Sequence, residues 1–187
     1  MRIISGKYKG KKIDEYNIDG TRPTMDRVKE SVFGTIQTHL KSSICLDLFA
    51  GSGSLGIEAL SNGAKKCYFV DSNIKVTNIL KRNIKSLNIL EDYEIINDDY
   101  KTALVYFKNN NIKFDLFFLD PPYKFSYINE ALNKIYEYNL LNDNGYIICE
   151  YENEIINNNY FDLVKEKKYG NKYVKIYKKN SWTIFFI

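Results

Sequence analysis

Apolar positions along the chain follow two alternating rhythms. Near-continuous apolar runs fall at Ile44 to Phe49, Cys67 to Val70, Tyr93 to Ile96, Phe114 to Leu119 and Tyr146 to Cys149, as in strands covered by helices on both faces. Between them, residues 54–62, 73–87, 99–109 and 126–138 place apolar side chains at helical spacing. Strict alternation predicts an α/β fold built on a mostly parallel, doubly wound sheet, with ligand sites at the carboxyl ends of the strands. Residues 160–179 predict two more strands turning at Gly170-Asn171, an antiparallel edge hairpin that brings the expected sheet to seven strands. Ahead of this core, residues 2–13 are β-branched and aromatic around Gly6 and Gly10, which predicts a short N-terminal β-hairpin arm. A helix is expected from Asp26, since Val28, Val32, Phe33, Ile36 and Leu40 share one face, and Thr24 is placed to cap it after Pro23.

Composition fits one compact unit: 187 residues, 44% hydrophobic and 27% charged. We expect a single domain, with an arm and helix in 1–40, a core in 43–179, and an apolar tail in 180–187 that has no functional assignment. Cys45, Cys67 and Cys149 are odd in number and set among apolar residues, so buried thiols in a reducing cytoplasm are expected. Met1 to Lys12 is basic without a signal-peptide core, and no apolar stretch matches a membrane span. His39, the sole histidine, reads as a surface residue near a helix end, and no metal site is expected.

The first chemical motif lies where the first strand passes into a helix. Leu46-Asp47-Leu48-Phe49-Ala50-Gly51-Ser52-Gly53-Ser54-Leu55-Gly56 contains G-x-G-x-x-G, whose glycines permit a tight turn and close backbone approach by a ligand. Asp71 ends the second strand and is placed to accept from both hydroxyls of a ribose, with Ser72 beside it. Together these imply an adenosine-bearing cofactor, either a dinucleotide or S-adenosylmethionine. Asp47 favours the latter: an acid before the glycines suits an ammonium and a sulfonium and repels a pyrophosphate. Asp98 and Asp99 are the next carboxylates on this rim, each suited either to an adenine amine or to capping the following helix.

The second motif is Asp120-Pro121-Pro122-Tyr123, directly after the fourth apolar run. Two prolines fix φ and remove two N–H donors, holding nearby carbonyls as rigid acceptors. An aromatic amine is a poor nucleophile because its lone pair is delocalised. Hydrogen bonds from both its N–H groups to Asp120 and a proline-segment carbonyl would localise that pair. Tyr123 can stack on the base.

Thr21-Arg22-Pro23-Thr24-Met25-Asp26-Arg27, then Leu46 to Gly53, then Asp120 to Tyr123, together resemble the bacterial 16S ribosomal RNA guanine-N2 methyltransferases that modify the guanine numbered 966. The resemblance runs from Arg2 to Lys178. It implies a Rossmann-like S-adenosylmethionine-dependent methyltransferase fold. It also implies that Thr21, Arg22, Pro23 and Thr24 close over the cofactor, that Asp47, Phe49, Ala50, Gly51 and Gly53 hold its methionine end, and that Asp71 holds its ribose. Asp120, Pro121, Pro122 and Tyr123 then carry the catalytic and base-stacking roles. Family members usually end before the tail after Asn180, and Tyr151 stands where relatives often carry histidine.

Charge placement agrees with RNA. Lysines and arginines outnumber acids by 27 to 23, and Arg2, Lys7, Lys9, Lys11 and Lys12 form an acid-free basic arm suited to phosphates. Residues 165–179 are also lysine-rich, as RNA contacts or as lysines that blunt a sheet edge. The expectation is a cytoplasmic, monomeric rRNA methyltransferase acting on 16S rRNA or an assembling 30S subunit. Its rivals are a DNA adenine-N6 methyltransferase, a non-catalytic nucleotide- or RNA-binding module and a dinucleotide oxidoreductase.

Overall fold

The computed structural model describes residues 1–15, 26–122, 127–152 and 155–179. Thr21 to Thr24, Tyr123 and the tail 180–187 lie outside them. A helix α1 (Asp26–Ile36) and a 3-10 turn (Gln37–His39) precede β1 (Ile44–Asp47), α2 (Ser54–Ser61), β2 (Lys66–Val70), α3 (Ile74–Leu87), β3 (Asp92–Ile96), α4 (Tyr100–Asn109), β4 (Phe114–Leu119), α5 (Tyr127–Glu137), β5 (Leu141–Tyr151), β6 (Phe161–Tyr169) and β7 (Lys172–Lys179). The strands form one seven-stranded sheet in the order β3-β2-β1-β4-β5-β7-β6. The first five are parallel, and β7 joins β5 and β6 antiparallel. This is the expected Rossmann-like sheet with its edge hairpin. No helix among the described residues is long and apolar enough to cross a membrane.

Alternation along each strand feeds two cores. Cys45, Phe69, Phe118 and Ile148 point toward α1, α2 and α3. Leu46, Val70, Leu119 and Cys149 point toward α4 and α5. Burial raises the thiol of Cys45 to about 12, so it is chemically quiet.

Four expectations need correction. The first strand ends at Asp47, not Phe49, because the glycine turn has already begun to form. The β3 run is not covered on both faces: it is an edge strand, and Tyr93 is exposed. His39 is half-buried, its ring 4.5 Å from that of Tyr146.

The fourth correction concerns the arm, whose two halves meet at a single antiparallel bridge, Arg2 to Lys12, instead of a hairpin ladder. Ile3, Tyr8 and Ile13 are buried. The carboxylate of Glu58, fully buried on α2, accepts from the backbone N–H of Ile4 and of Ser5 (3.0 and 2.8 Å) and pairs with the equally buried Lys29 of α1 (3.4 Å). Two of the five cations that read as acid-free in sequence thus meet acids brought by the fold: Arg2 pairs with Asp26 (2.9 Å) and Lys7 with Glu91 (2.7 Å). Glu91 directly precedes β3, so Lys7 sits at the amino-terminal end of the strands, away from the rim that carries Asp120. Lys9, Lys11 and Lys12 are exposed.

Candidate active site

The carboxyl ends of β2, β1 and β4 bring Asp71, Asp47 and Asp120 to one rim. The turn between β1 and α2 is held by its neighbours before any ligand is considered. Gly51 donates to Asp71 Oδ2 (2.9 Å), and Asn73 donates to Asp71 Oδ1 (2.8 Å). Burial pushes the Asp71 carboxyl up, and these two N–H groups oppose the shift. Asp47, 1% exposed, accepts from Gly56 N–H (2.9 Å). Burial raises its carboxyl to about 7, with that N–H opposing and the charge of Asp71 adding to the rise.

Asn83 is a clamp that sequence reasoning missed. It occupies a core position of α3 and is 1% exposed. Its amide donates to the carbonyls of Ser52 and Asp14 (both 2.9 Å), and its oxygen accepts from Asp14 N–H (2.8 Å). The arm is thereby tied to the glycine turn. A polar residue at a position where the helical period calls for an apolar one was the available signal.

Observations of this structure fit a bound adenosyl cofactor. Gly51 has φ of +54°, and among the described residues nothing lies within 4 Å of a Cβ placed there, so they leave the backbone open on that side. At Gly56 an added Cβ would lie 2.2 Å from the Phe69 ring, which explains the third glycine as close helix–strand packing. The buried hydroxyl of Ser54, in the first turn of α2, has no hydrogen-bond partner among the described residues.

The pair at 98 and 99 divides its work. Asp99 caps α4, accepting from Lys101 N–H (2.9 Å), Thr102 N–H (3.2 Å) and the Thr102 hydroxyl, and the hydroxyl bond leads in holding its carboxyl below the usual range. Of the two roles its sequence suits, Asp99 thus fills the capping one. Asp98 is exposed, accepts only the adjacent Asp99 N–H among the bonds described, and stays on the rim. Ser72 is exposed beside Asp71, while Phe49 and Ala50 lead into the turn.

Beyond β4, Asp120 is half-buried, Pro121 buried and Pro122 exposed. An aromatic cluster that the motifs did not reveal as a unit gathers from the segments just after β1, β3 and β4. The rings of Phe49 and Tyr127 are stacked at 6.0 Å, and Tyr100 is tilted against both, at 5.2 and 5.3 Å. The Tyr100 hydroxyl donates to Glu130 (2.8 Å), which also pairs with Lys101 (2.7 Å). These residues come from three separate segments, so no local pattern joins them. Among the described residues no cluster of histidine, cysteine and carboxylate side chains could hold a metal ion.

Strand order, the crossover at β1 and β4, and an acid-flanked glycine turn define a Rossmann-like methyltransferase, a class whose cofactor is S-adenosylmethionine. The chain belongs to the family described as Conserved hypothetical protein 95, which matches residues 1–178. It is 41% identical over 175 residues to the Ribosomal RNA small subunit methyltransferase D of Haemophilus influenzae, covering 91% of this chain and 89% of that one. It is also 41% identical over 182 residues to a Bacillus subtilis protein described as an rRNA methyltransferase, covering 96% and 99%. An Escherichia coli structure described as a methyltransferase superposes with a TM-score of 0.82 at 29% identity, covering 96% and 98%.

Proposed function

We propose that this protein transfers a methyl group from S-adenosylmethionine to the exocyclic N2 amine of a guanine in the 16S rRNA of the small ribosomal subunit, the guanine-966 type. The observation that carries the reading is Asp120-Pro121-Pro122 at the end of the central strand β4, next to the clamped glycine turn of β1. The names of the relatives and the resemblance of the motifs support rRNA as substrate.

S-adenosylmethionine supplies an electrophilic methyl group on sulfur. The residues do the rest. Asp71 has a lone pair on each oxygen beyond those taken by Gly51 and Asn73, and accepts from the ribose hydroxyls. Asp98 accepts from the adenine amine, and Asp47 lies under the turn as the counter-charge of the methionine ammonium. Asp120 and a carbonyl of the proline segment accept from the two N–H groups of the guanine amine. These bonds strengthen as the nitrogen becomes cationic, so they favour the transition state over the ground state. Pro121 and Pro122 hold that geometry. Tyr123 stacks on the base, Thr21 to Thr24 cover the cofactor, and Arg2, Lys9, Lys11 and Lys12 meet phosphates, with Lys7 turned to Glu91 at the far end.

The test is transfer of labelled methyl to naked small-subunit rRNA, to 30S particles and to duplex DNA, with mass spectrometry of rRNA from a deletion strain. Label in RNA or particles and one missing N2-methylguanine are expected. Label confined to DNA would remove the reading, and the relative yields on RNA and particles identify the natural substrate.

A further inference from the structure

Four carboxylates gather at the carboxyl-end rim of the sheet, Asp47 and Glu150 within β1 and β5 and Asp71 and Asp120 directly after β2 and β4. Cys45, Phe69, Phe118 and Ile148 all point into the core beneath α1, α2 and α3. Two residues further along their chains lie Asp47, Asp71, Asp120 and Glu150, and positions two apart in extended chain face the same way. Leu119 pairs with Cys149 as the last pair of the β4–β5 ladder, so Asp120 leaves β4 next to the segment of β5 that carries Glu150, the two strands being about 4.8 Å apart.

Glu150 is 3% exposed and forms an ion pair with the buried Lys172 of β7. Lys172 precedes Val174 by two residues, and Val174 pairs with Glu150, so Lys172 reaches the same face diagonally. Among the described residues, the other ionisable groups over this face include Lys29 of α1 with Glu58 of α2, paired with each other, Asp26 of α1, paired with Arg2, and on β6 Lys165, which donates to Thr35 of α1 (2.8 Å), and Lys167, opposite Val174 and over the Tyr169 ring. Tyr169 of β6 packs against the same core, its buried hydroxyl without a partner among the described residues.

A buried Lys–Glu pair is costly to desolvate and can often be replaced by apolar residues without loss of stability, so its position beside a reactive carboxylate calls for another reason. We propose that Lys172 is a positioning residue for methyl transfer: it holds the Glu150 carboxylate and offsets its charge beside Asp120, so that Asp120 stays an acceptor for the target amine. This rests on the function proposed above. Without the cation, two adjacent carboxylates resist double ionisation and one of them holds its proton to higher pH. A protonated Asp120 loses an acceptor site for the amine.

The test is single-turnover methyl transfer to small-subunit rRNA from about pH 5 to 9. Lys172→Met is expected to move the acid-limb midpoint up by about one unit, a roughly tenfold loss of rate below it. Lys172→Arg should keep the wild-type midpoint, and the double variant Glu150→Gln/Lys172→Met should restore it while folding normally by circular dichroism. A Lys172→Met enzyme that is slower at all pH values with an unmoved midpoint overturns the proposal, as does a folded double variant with the midpoint still shifted. Asp120→Asn separates the two levels: if it turns over normally, the underlying reading fails, whereas an inactive Asp120→Asn beside an unshifted Lys172→Met profile removes only the role of Lys172.

Discussion

On the β1–β2 side of the rim, the carboxylates are bound to the protein's own backbone. Asp71 holds Gly51 and Asn73, Asp47 holds Gly56, and Asn83 holds Ser52. On the β4–β5 side, Asp120 leaves its strand into two prolines that have no N–H to offer, and rigidity comes from the pyrrolidine rings and from neighbouring side chains. The difference shows how binding and chemistry are separated. On the first side hydrogen bonds shape the turn in advance, so acids proposed to bind the cofactor also build the turn. In the proposed reading, the half that meets a base is built from restricted backbone, and its acid is expected to act on turnover more than on the turn beside it.

That contrast would break most visibly at Asp120. Replacing it with Asn should reduce turnover about 10³-fold, within the range for loss of a positioned acid–base or charge-stabilising group, while S-adenosylhomocysteine binds within about threefold of wild type by calorimetry. Equal losses in both measurements would show the two halves to be one unit. The converse is Asp71→Ala, which removes acceptors from two backbone N–H groups and from the ribose. Charge-assisted bonds of about 1.5–3 kcal/mol predict roughly 10- to 100-fold weaker S-adenosylhomocysteine binding, with KM for RNA unmoved.

Much of the contrast could be read from the chain. Both motifs, the seven strands and the hairpin turn at Gly170-Asn171 carry local signals, because glycine, proline and a strand-ending acid act through their own backbone. What could not be read depends on how side chains are placed against one another, mostly across long stretches of chain. Asp99 caps its own helix, yet its sequence suits capping and cofactor binding equally until the hydroxyl of Thr102 is placed against it. Arg2 and Lys7 lose their apparent freedom to Asp26 and Glu91, the second of them 84 residues away. Phe49, Tyr100 and Tyr127 meet only after two crossovers, and Lys172 finds Glu150 across the antiparallel ladder. Asn83 and Glu58 sit at buried helical positions, a signal available in the period but not read, and among their partners are Asp14, Ile4 and Ser5 of an arm that has no period of its own.

Asn83 offers a gentler probe of the cofactor half. Asn83→Ala removes two donors from the carbonyls of Ser52 and Asp14 and an acceptor from Asp14 N–H. At about 1 kcal/mol per net bond, shared between folding and the shape of the turn, S-adenosylhomocysteine affinity should fall about three- to tenfold. The single-turnover rate at saturating cofactor should stay near wild type. A lower saturated rate with unchanged affinity would place Asn83 on the chemical side instead.

The finest test is the charge of Asp47. With its carboxyl raised to about 7 from 3.8 by burial, the folded protein retains a proton between those values that the unfolded chain has lost. Stability without cofactor should therefore fall as pH rises through that window. A bound ammonium favours the ionised form, so binding of S-adenosylhomocysteine should release a proton from Asp47 and tighten a few-fold from about pH 6 to 7.5. Asp47→Asn keeps an oxygen for Gly56 N–H but cannot ionise. Its affinity should match wild type near the lower pH, trail it at the higher one, and show less proton release when calorimetry is repeated in buffers of different ionisation enthalpy. Identical pH slopes in the two proteins would mean that Asp47 only holds the helix to the turn, leaving the ammonium to be met by other groups.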